Sequence, residues 1–154
     1  MRKVILVMAT IIVAVCSANA QVEPRAIGLR FGGGNFGSGA EINYLHGIGE
    51  SNRAEIGLGI NSFEGGSYLN VAGIYQWVFS LEEGFSWYAG PGAQLLLVSN
   101  SSAVFLGGEV GVDYNFKPNL EIPLRVALDT RPMFNLGEGS GIGWGIRLSA
   151  HYTF

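Results

Sequence analysis

Apolar and polar residues alternate one by one along eight successive segments of this chain, and this pattern constrains the fold more than any other feature. In the first segment, Ile27, Leu29 and Phe31 alternate with Gly28 and Arg30. A period of two residues is typical of β-strands with one apolar and one polar face, because successive side chains point to opposite sides of a sheet. The sequence therefore predicts an all-β protein.

Short breaks rich in glycine and polar residues separate the predicted strands. They lie at residues 32–38, 46–51, 62–66, 80–84, 99–102, 117–119 and 130–140. Short connections in series join antiparallel neighbours, because parallel neighbours need a long crossover. We therefore predict one domain over residues 21–154, an eight-stranded antiparallel up-and-down β-barrel. Pro91 and Pro123 fall within predicted strands, where we expect local bulges because proline cannot donate a hydrogen bond to its neighbour.

Residues 1–20 have the features of a cleaved signal peptide. Arg2 and Lys3 precede an apolar stretch that is too short to span a bilayer, and an Ala-x-Ala cleavage site ends at Ala20. We therefore expect export and cleavage after Ala20. Cys16, the only cysteine, lies inside this segment, so the mature protein is predicted to have no disulfide.

Alternation alone fits two barrels that expose opposite faces. A secreted, lipocalin-like soluble barrel turns its apolar face inward around an apolar ligand, whereas a membrane barrel turns that face to lipid. Here the apolar face carries no charged residue, and the polar face is rich in glycine and lacks lysine. Exposed strand faces of soluble proteins use lysine freely. We therefore predict a transmembrane barrel, with the soluble barrel as the alternative.

Aromatic residues of the apolar face concentrate near one rim of the predicted barrel. They are Tyr44, Tyr75, Trp77, Phe79, Phe85, Trp87, Tyr114 and Phe116, with Tyr152 and Phe154 of the last strand. A soluble core has no reason to sort its aromatic residues to one end, whereas amphipathic rings settle at the headgroup level of a bilayer. The pattern predicts an aromatic girdle and contact with membrane lipid.

Charged residues of the polar face form the predicted lumen network. They are Arg30, Arg53, Arg125, Arg147, Glu41, Glu55, Glu109, Asp113, Glu121 and Asp129. The interior of an eight-stranded barrel is just wide enough for side chains to fill it, and buried charges are normally paired. We therefore predict a plug of paired charges rather than an ion path, with Arg30 and Glu41 on adjacent strands as the first pair.

The last strand, Ile146 to Phe154, alternates apolar residues and ends on a phenylalanine. With the signal peptide and eight strands, this segment makes the chain resemble the small bacterial outer-membrane β-barrels of the OmpX and OmpA-transmembrane type. The resemblance implies location in the outer membrane, with both termini in the periplasm. It also implies that Tyr152 and Phe154 are recognised by the barrel-assembly machinery. The predicted outer connections are shorter than those of many family members.

Ser149 and His151 are the only candidate nucleophile and base on one strand. Both are predicted to point into the lumen, away from lipid and without an orienting third group, so we predict no catalytic residues. An outer-membrane lipid-modifying enzyme remains an alternative. No residue spacing resembles a metal site, and we predict no cofactor.

The balance of charges argues against one further class of partner. The net charge is −3 and no basic cluster occurs, which argues against nucleic acid.

The segment from Arg131 to Gly141 is the longest predicted loop, and it contains Met133, Phe134 and Leu136. Exposed apolar residues there make it the candidate contact for a surface partner.

Overall fold

A computed structural model describes residues 22–137 and 141–154. The predicted signal peptide and its cleavage site after Ala20 lie outside the described residues, as do residues 138–140 of the longest predicted loop. The elements are β1 (Arg25–Gly34), β2 (Gly37–Ile48), β3 (Asn52–Phe63), β4 (Gly66–Glu82), β5 (Phe85–Val98), β6 (Ser101–Asn115), α1 (Lys117–Leu120), β7 (Leu124–Thr130), β8 (Met133–Asn135), β9 (Ile142–Gly143) and β10 (Gly145–Thr153). No helix in this part of the chain is long and apolar enough to cross a membrane.

The strands close into one antiparallel barrel. Consecutive strands pair from β1 to β7, and β10 pairs with both β7 and β1. Strands β7 and β8 keep a single register against β6 on both sides of Arg131 and Pro132. Strands β9 and β10 likewise keep one register against β7 and β8 on both sides of Trp144. Each pair is therefore one interrupted barrel strand, and the predicted eight-stranded barrel is confirmed.

The apolar face of the barrel points outward. In β3, the outward side chains of Ile56, Leu58 and Ile60 are exposed by 62%, 54% and 60%. Arg53 and Glu55, on the inward face of the same strand, are exposed by only 2% and 1%. Soluble monomers rarely expose apolar patches larger than a few hundred Å², and here such residues occur on all eight barrel strands. The lipocalin-like alternative is wrong, because the interior of the barrel is polar and the apolar side chains surround it.

Within the predicted long loop from Arg131 to Gly141, Met133–Asn135 form strand β8. Met133 is buried and begins β8, which pairs with β6, and Arg131 points into the lumen. The strand passes Pro132 because its carbonyl oxygen still accepts a hydrogen bond from the Gly108 N–H at 3.1 Å. The predicted break begins too early, because the alternation of inward and outward side chains continues past Thr130 to Phe134.

Neither proline that was expected to cause a bulge does so. Pairing between β4 and β5 is interrupted opposite Pro91, but the register is the same on both sides of the interruption. Pro123 lies before β7, where its carbonyl oxygen accepts the Thr153 N–H at 3.0 Å. A register shift between β4 and β5 does occur, but it lies between Ser80 and Glu82 rather than at Pro91.

Glu121 does not belong to the lumen. Pro118 lies in the first turn of α1, where its fixed backbone angle favours a helix. Glu121 ends that helix in a left-handed conformation (φ 57°), and its N–H donates to the Lys117 carbonyl oxygen at 3.0 Å. Its side chain is exposed. The lumen prediction for Glu121 is wrong because the chain turns through α1 before β7 begins at Leu124.

Two glycines of the adjacent strands β4 and β5 give a matched test of close backbone packing. A Cβ atom at Gly90 would overlap the carbonyl oxygen of Tyr75, whereas a Cβ atom at Gly73 meets nothing within 4 Å. We expect Gly90→Ala to lower the free energy of unfolding by about 1–3 kcal/mol, as overpacking does. Gly73→Ala is the control and should change it little. A urea titration in detergent micelles compares them, and equal stability of the two variants would contradict the close packing.

Candidate functional site: the charged lumen

Arg30 of β1 is the first centre of the lumen network. Its Nη1 lies 2.9 Å from Glu41 Oε1, and Arg30 with Glu41 is the pair that the sequence predicts first. The same guanidinium forms a two-pronged ion pair with Glu55, of which the Nη2–Oε2 distance is 2.9 Å. Its Nε lies 3.2 Å from Asp129 Oδ2, and Nη1 lies 3.8 Å from Glu109 Oε2. One arginine therefore contacts carboxylates from four other strands.

Arg131 is the second centre, and sequence reasoning placed it in a loop. Its Nε and Nη2 lie 2.8 and 2.6 Å from Glu109 Oε2. Its Nη2 lies 2.8 Å from Glu55 Oε1, and Nη1 lies 3.4 Å from Glu41 Oε2. The alternation of Arg125, Ala127 and Asp129 toward the lumen continues to Arg131 and would have found it.

Neutral amides complete the hydrogen bonds of these carboxylates. Gln76 donates to Glu55 Oε2 at 3.1 Å and to Glu109 Oε1 at 2.5 Å. Asn70 donates to Glu41 Oε2 at 3.0 Å and accepts from Asn61 at 2.6 Å. Gln76 and Asn70 are buried, at 0% and 1% exposure. We call Arg30, Arg131, Glu41, Glu55, Glu109 and Asp129 the central cluster.

A separate pair lies closer to the rim that carries both Val22 and Phe154, which we call the near rim. Arg53 Nη2 lies 2.7 Å from Asp113 Oδ2, and Arg53 Nε donates to Gln76. The Arg53 guanidinium also lies 4.4 Å from the centroid of the Tyr88 ring. This pair is therefore joined to the central cluster through Gln76.

Arg125 and Arg147 are lumen residues without a carboxylate partner among the described residues. No ion pair includes either guanidinium, although both were predicted members of the network. Arg125 is 3% exposed, and its Nε has no hydrogen-bond partner in this part of the chain. The central cluster meanwhile holds two arginines and four carboxylates. Arg125 lines a cavity on one side of the central cluster, and Arg147 lines a cavity on the other side.

The open space of the barrel lies on either side of the central cluster. A cavity of about 390 Å³ opens at the near rim and is lined by Arg53, Asp113 and Arg125. At the opposite rim, which we call the far rim, a cavity of about 30 Å³ lies under Phe36 and reaches down to Arg131. The central cluster lies between these two cavities.

Ser149 and His151 lie inside the barrel, at 2% and 1% exposure. Neither the Ser149 hydroxyl nor either ring nitrogen of His151 has a hydrogen-bond partner among the described residues. Neither side chain is accessible from the lipid-facing surface. Among the described residues, no group of three or more His, Cys, Asp and Glu side chains is arranged to hold a metal ion.

The predicted girdle residues lie near the near rim and contact each other in pairs. Phe79 stacks on Trp87 with ring centroids 4.4 Å apart, and Tyr75 meets Trp77 edge to face at 5.6 Å. The other pairs are Tyr114 with Phe116 at 4.8 Å and Tyr152 with Phe154 at 6.2 Å. At the same rim, Tyr44 pairs across the sheet with Ile27 of β1, and Phe85 pairs with Tyr114 of β6. The Phe154 N–H donates to the Arg25 carbonyl oxygen at 2.9 Å, which joins the end of the chain to β1.

Comparison with known proteins finds similarity in structure but not in sequence. No protein-family model matches the chain, and no curated protein matches it. Neisserial surface protein A superimposes with a TM-score of 0.62 at 12% identity, covering 84% of this chain and 96% of that chain. The N-terminal β-barrel domain of Pseudomonas aeruginosa OprF superimposes with a TM-score of 0.57 at 15% identity, covering 87% of this chain and 100% of that chain.

At these identities the comparison shows the fold alone. The shared feature is a closed barrel of eight strands. The chain therefore has the fold of the small eight-stranded outer-membrane β-barrels.

Proposed function

We propose that this chain is a non-enzymatic barrel of a bacterial outer membrane with a structural role. We further propose that paired charges close its lumen to ions. The observation that carries both parts is the arrangement of the two faces: large apolar side chains outside, and the central cluster across the middle of the lumen. The fold it shares with Neisserial surface protein A supports a place at the cell surface.

The outer face supports insertion into lipid. A membrane-spanning sheet must pair all its backbone groups internally, which only a closed barrel achieves. The apolar outer face supplies a surface that can contact the hydrocarbon core of the bilayer, and the girdle residues at the near rim suit the headgroup region. In this orientation the near rim faces the periplasm, and outer-membrane lipid is the first partner of the barrel.

The interior supports a closed lumen. Eight strands leave no aqueous channel once side chains fill the interior, and the guanidiniums of Arg30 and Arg131 hold carboxylates from β2, β3, β6 and β7 across it. An ion would have to separate these buried pairs, and uncompensated buried charges cost several kcal/mol. Ser149 and His151, enclosed in the same lumen, offer no reactive pair that lipid can reach.

A conductance measurement tests the closed lumen. Purified protein is reconstituted into a planar bilayer, and its insertion is verified by the gel mobility of the same sample with and without boiling. We expect no resolved channel steps from inserted barrels, while a porin of 16 strands in the same bilayer conducts and serves as the control. Long-lived steps that scale with the amount of inserted protein would refute the closed lumen.

The far rim is the proposed contact for a surface partner. Of the segment from Arg131 to Gly141, Phe134 and Leu136 are exposed by 52% and 59%. Because Arg131 and Met133 point inward, these two side chains are the apolar part of the segment that a partner can reach.

The last strand is the proposed signal for the barrel-assembly machinery. Tyr152 and Phe154 are exposed by 57% and 52% on the outer face at the near rim. We expect deletion of Phe154 to reduce the amount of protein in the outer-membrane fraction, measured by immunoblot against the signal-bearing full chain. Phe134→Ala, which removes an exposed ring at the far rim, is the control and should assemble normally. An unchanged yield after deletion of Phe154 would mean that assembly does not depend on this residue.

A further inference from the structure

A cavity of about 390 Å³ opens at the near rim of the barrel. Its wall combines the buried side chains of Arg53, Asp113 and Arg125 with the hydroxyl of Ser86 and the amide of Asn115. The central cluster and its proposed role do not include Arg125, Ser86 or Asn115. The cavity is therefore a separate feature of the lumen.

Charge at this cavity is unevenly compensated. Asp113 is held by Arg53 at 2.7 Å, and at the mouth Glu23 is held by Lys117 at 3.0 Å. Arg125 has no carboxylate partner among the described residues, and its Nε is buried without a hydrogen-bond partner there. Asp113 and Glu23 act on Arg125 electrostatically, but their direct ion pairs are with Arg53 and Lys117. An anion beside Arg125 would give this buried cation a direct charge partner.

The remaining groups suit a small oxyanion. Arginine presents several N–H donors in a fork that matches phosphate and carboxylate oxygens. Ser86 adds a hydroxyl donor. Glu83 is the acidic residue of the wall that has no cation partner among the described residues, and it is exposed at the solvent side rather than buried beside Arg125.

We propose that the near-rim cavity binds a small oxyanion of the phosphate type, with Arg125 as its principal ligand. The anion enters from the solvent at the near rim and does not pass the central cluster. This site is independent of the closed lumen, because it lies on one side of that cluster.

Titration calorimetry with inorganic phosphate tests the proposal on the folded barrel in detergent micelles, at constant ionic strength maintained with sodium chloride. The variants are Arg125→Gln, which removes the charge, and Arg125→Lys, which keeps it. Arg25→Gln is the matched control, because Arg25 is exposed on the outer face at the same rim. We expect Arg125→Gln to weaken phosphate binding by about tenfold or more, and Arg125→Lys to weaken it less.

Amide resonances of Ser86 and Asn115 supply a second readout that does not depend on the heat of binding. They should shift on addition of phosphate in the unmodified protein and in Arg25→Gln, and should shift little in Arg125→Gln. Absence of binding to the unmodified protein would overturn the proposal. Equal binding by Arg125→Gln, or an equal loss in Arg25→Gln, would overturn it as well.

Discussion

Arg131→Met is expected to lower the free energy of unfolding by about 3–5 kcal/mol, the cost of breaking a buried ion pair from one side. Arg131 is 0% exposed at its side chain and contacts Glu41, Glu55 and Glu109. Methionine keeps most of the volume but removes the charge. Arg30 would then be the only cation left among four buried carboxylates. A reversible urea titration in lipid bilayers measures the change.

Two further variants separate lost charge from lost packing. Arg131→Met combined with Glu109→Gln should recover part of the lost stability, because it removes one of the carboxylates left without a partner. Arg25→Met at the exposed near rim should change stability by less than about 0.5 kcal/mol. If Arg131→Met costs no more than Arg25→Met, the central cluster does not stabilise the barrel.

Val110→Arg is expected to destabilise the barrel in a bilayer by about 2–4 kcal/mol, the cost of an arginine on the lipid face near the bilayer midplane. Val110 is 49% exposed on the outer face of β6, and it pairs with Ala89 of β5 and Thr130 of β7. It is therefore flanked by strands on both sides, and an arginine there has only lipid to enter.

The same strand provides a control for depth. Ser102 lies on the same face of β6 at its far-rim end, where we expect Ser102→Arg to cost only about 0–1 kcal/mol. The two arginine variants are compared in the same bilayer folding titration. Equal costs for the two positions would mean that the outer face of β6 does not meet a lipid core.

Strict alternation made most of the fold predictable from the sequence. A period of two assigns each side chain to one face, and short hairpins fix which strands are neighbours. The same rule would have placed Arg131 inside, but Arg131 was assigned to the glycine-rich and polar segment that was predicted as a loop. Glu121 was misplaced for the opposite reason: it fits the alternation of the seventh strand, while Pro118 starts a helical turn that delays the strand to Leu124.

Which charged residues point into the lumen was easier to predict from the sequence than which of them form ion pairs. Arg30 and Glu41 lie on adjacent strands and were expected to meet, as they do. Arg30 also binds Glu55 of the strand beyond, because a long side chain reaches across a narrow lumen. Sequence spacing does not show such reach, and it did not indicate that Arg125 would lack a carboxylate partner.

The most direct test of the membrane barrel is the gel mobility of the protein in the detergent-extracted outer-membrane fraction, with and without boiling. We expect the protein in that fraction and a shift of its band on heating, because a closed barrel resists SDS until it is boiled. A protein recovered in the soluble fraction, with no shift on heating, would contradict insertion of the apolar outer face into lipid.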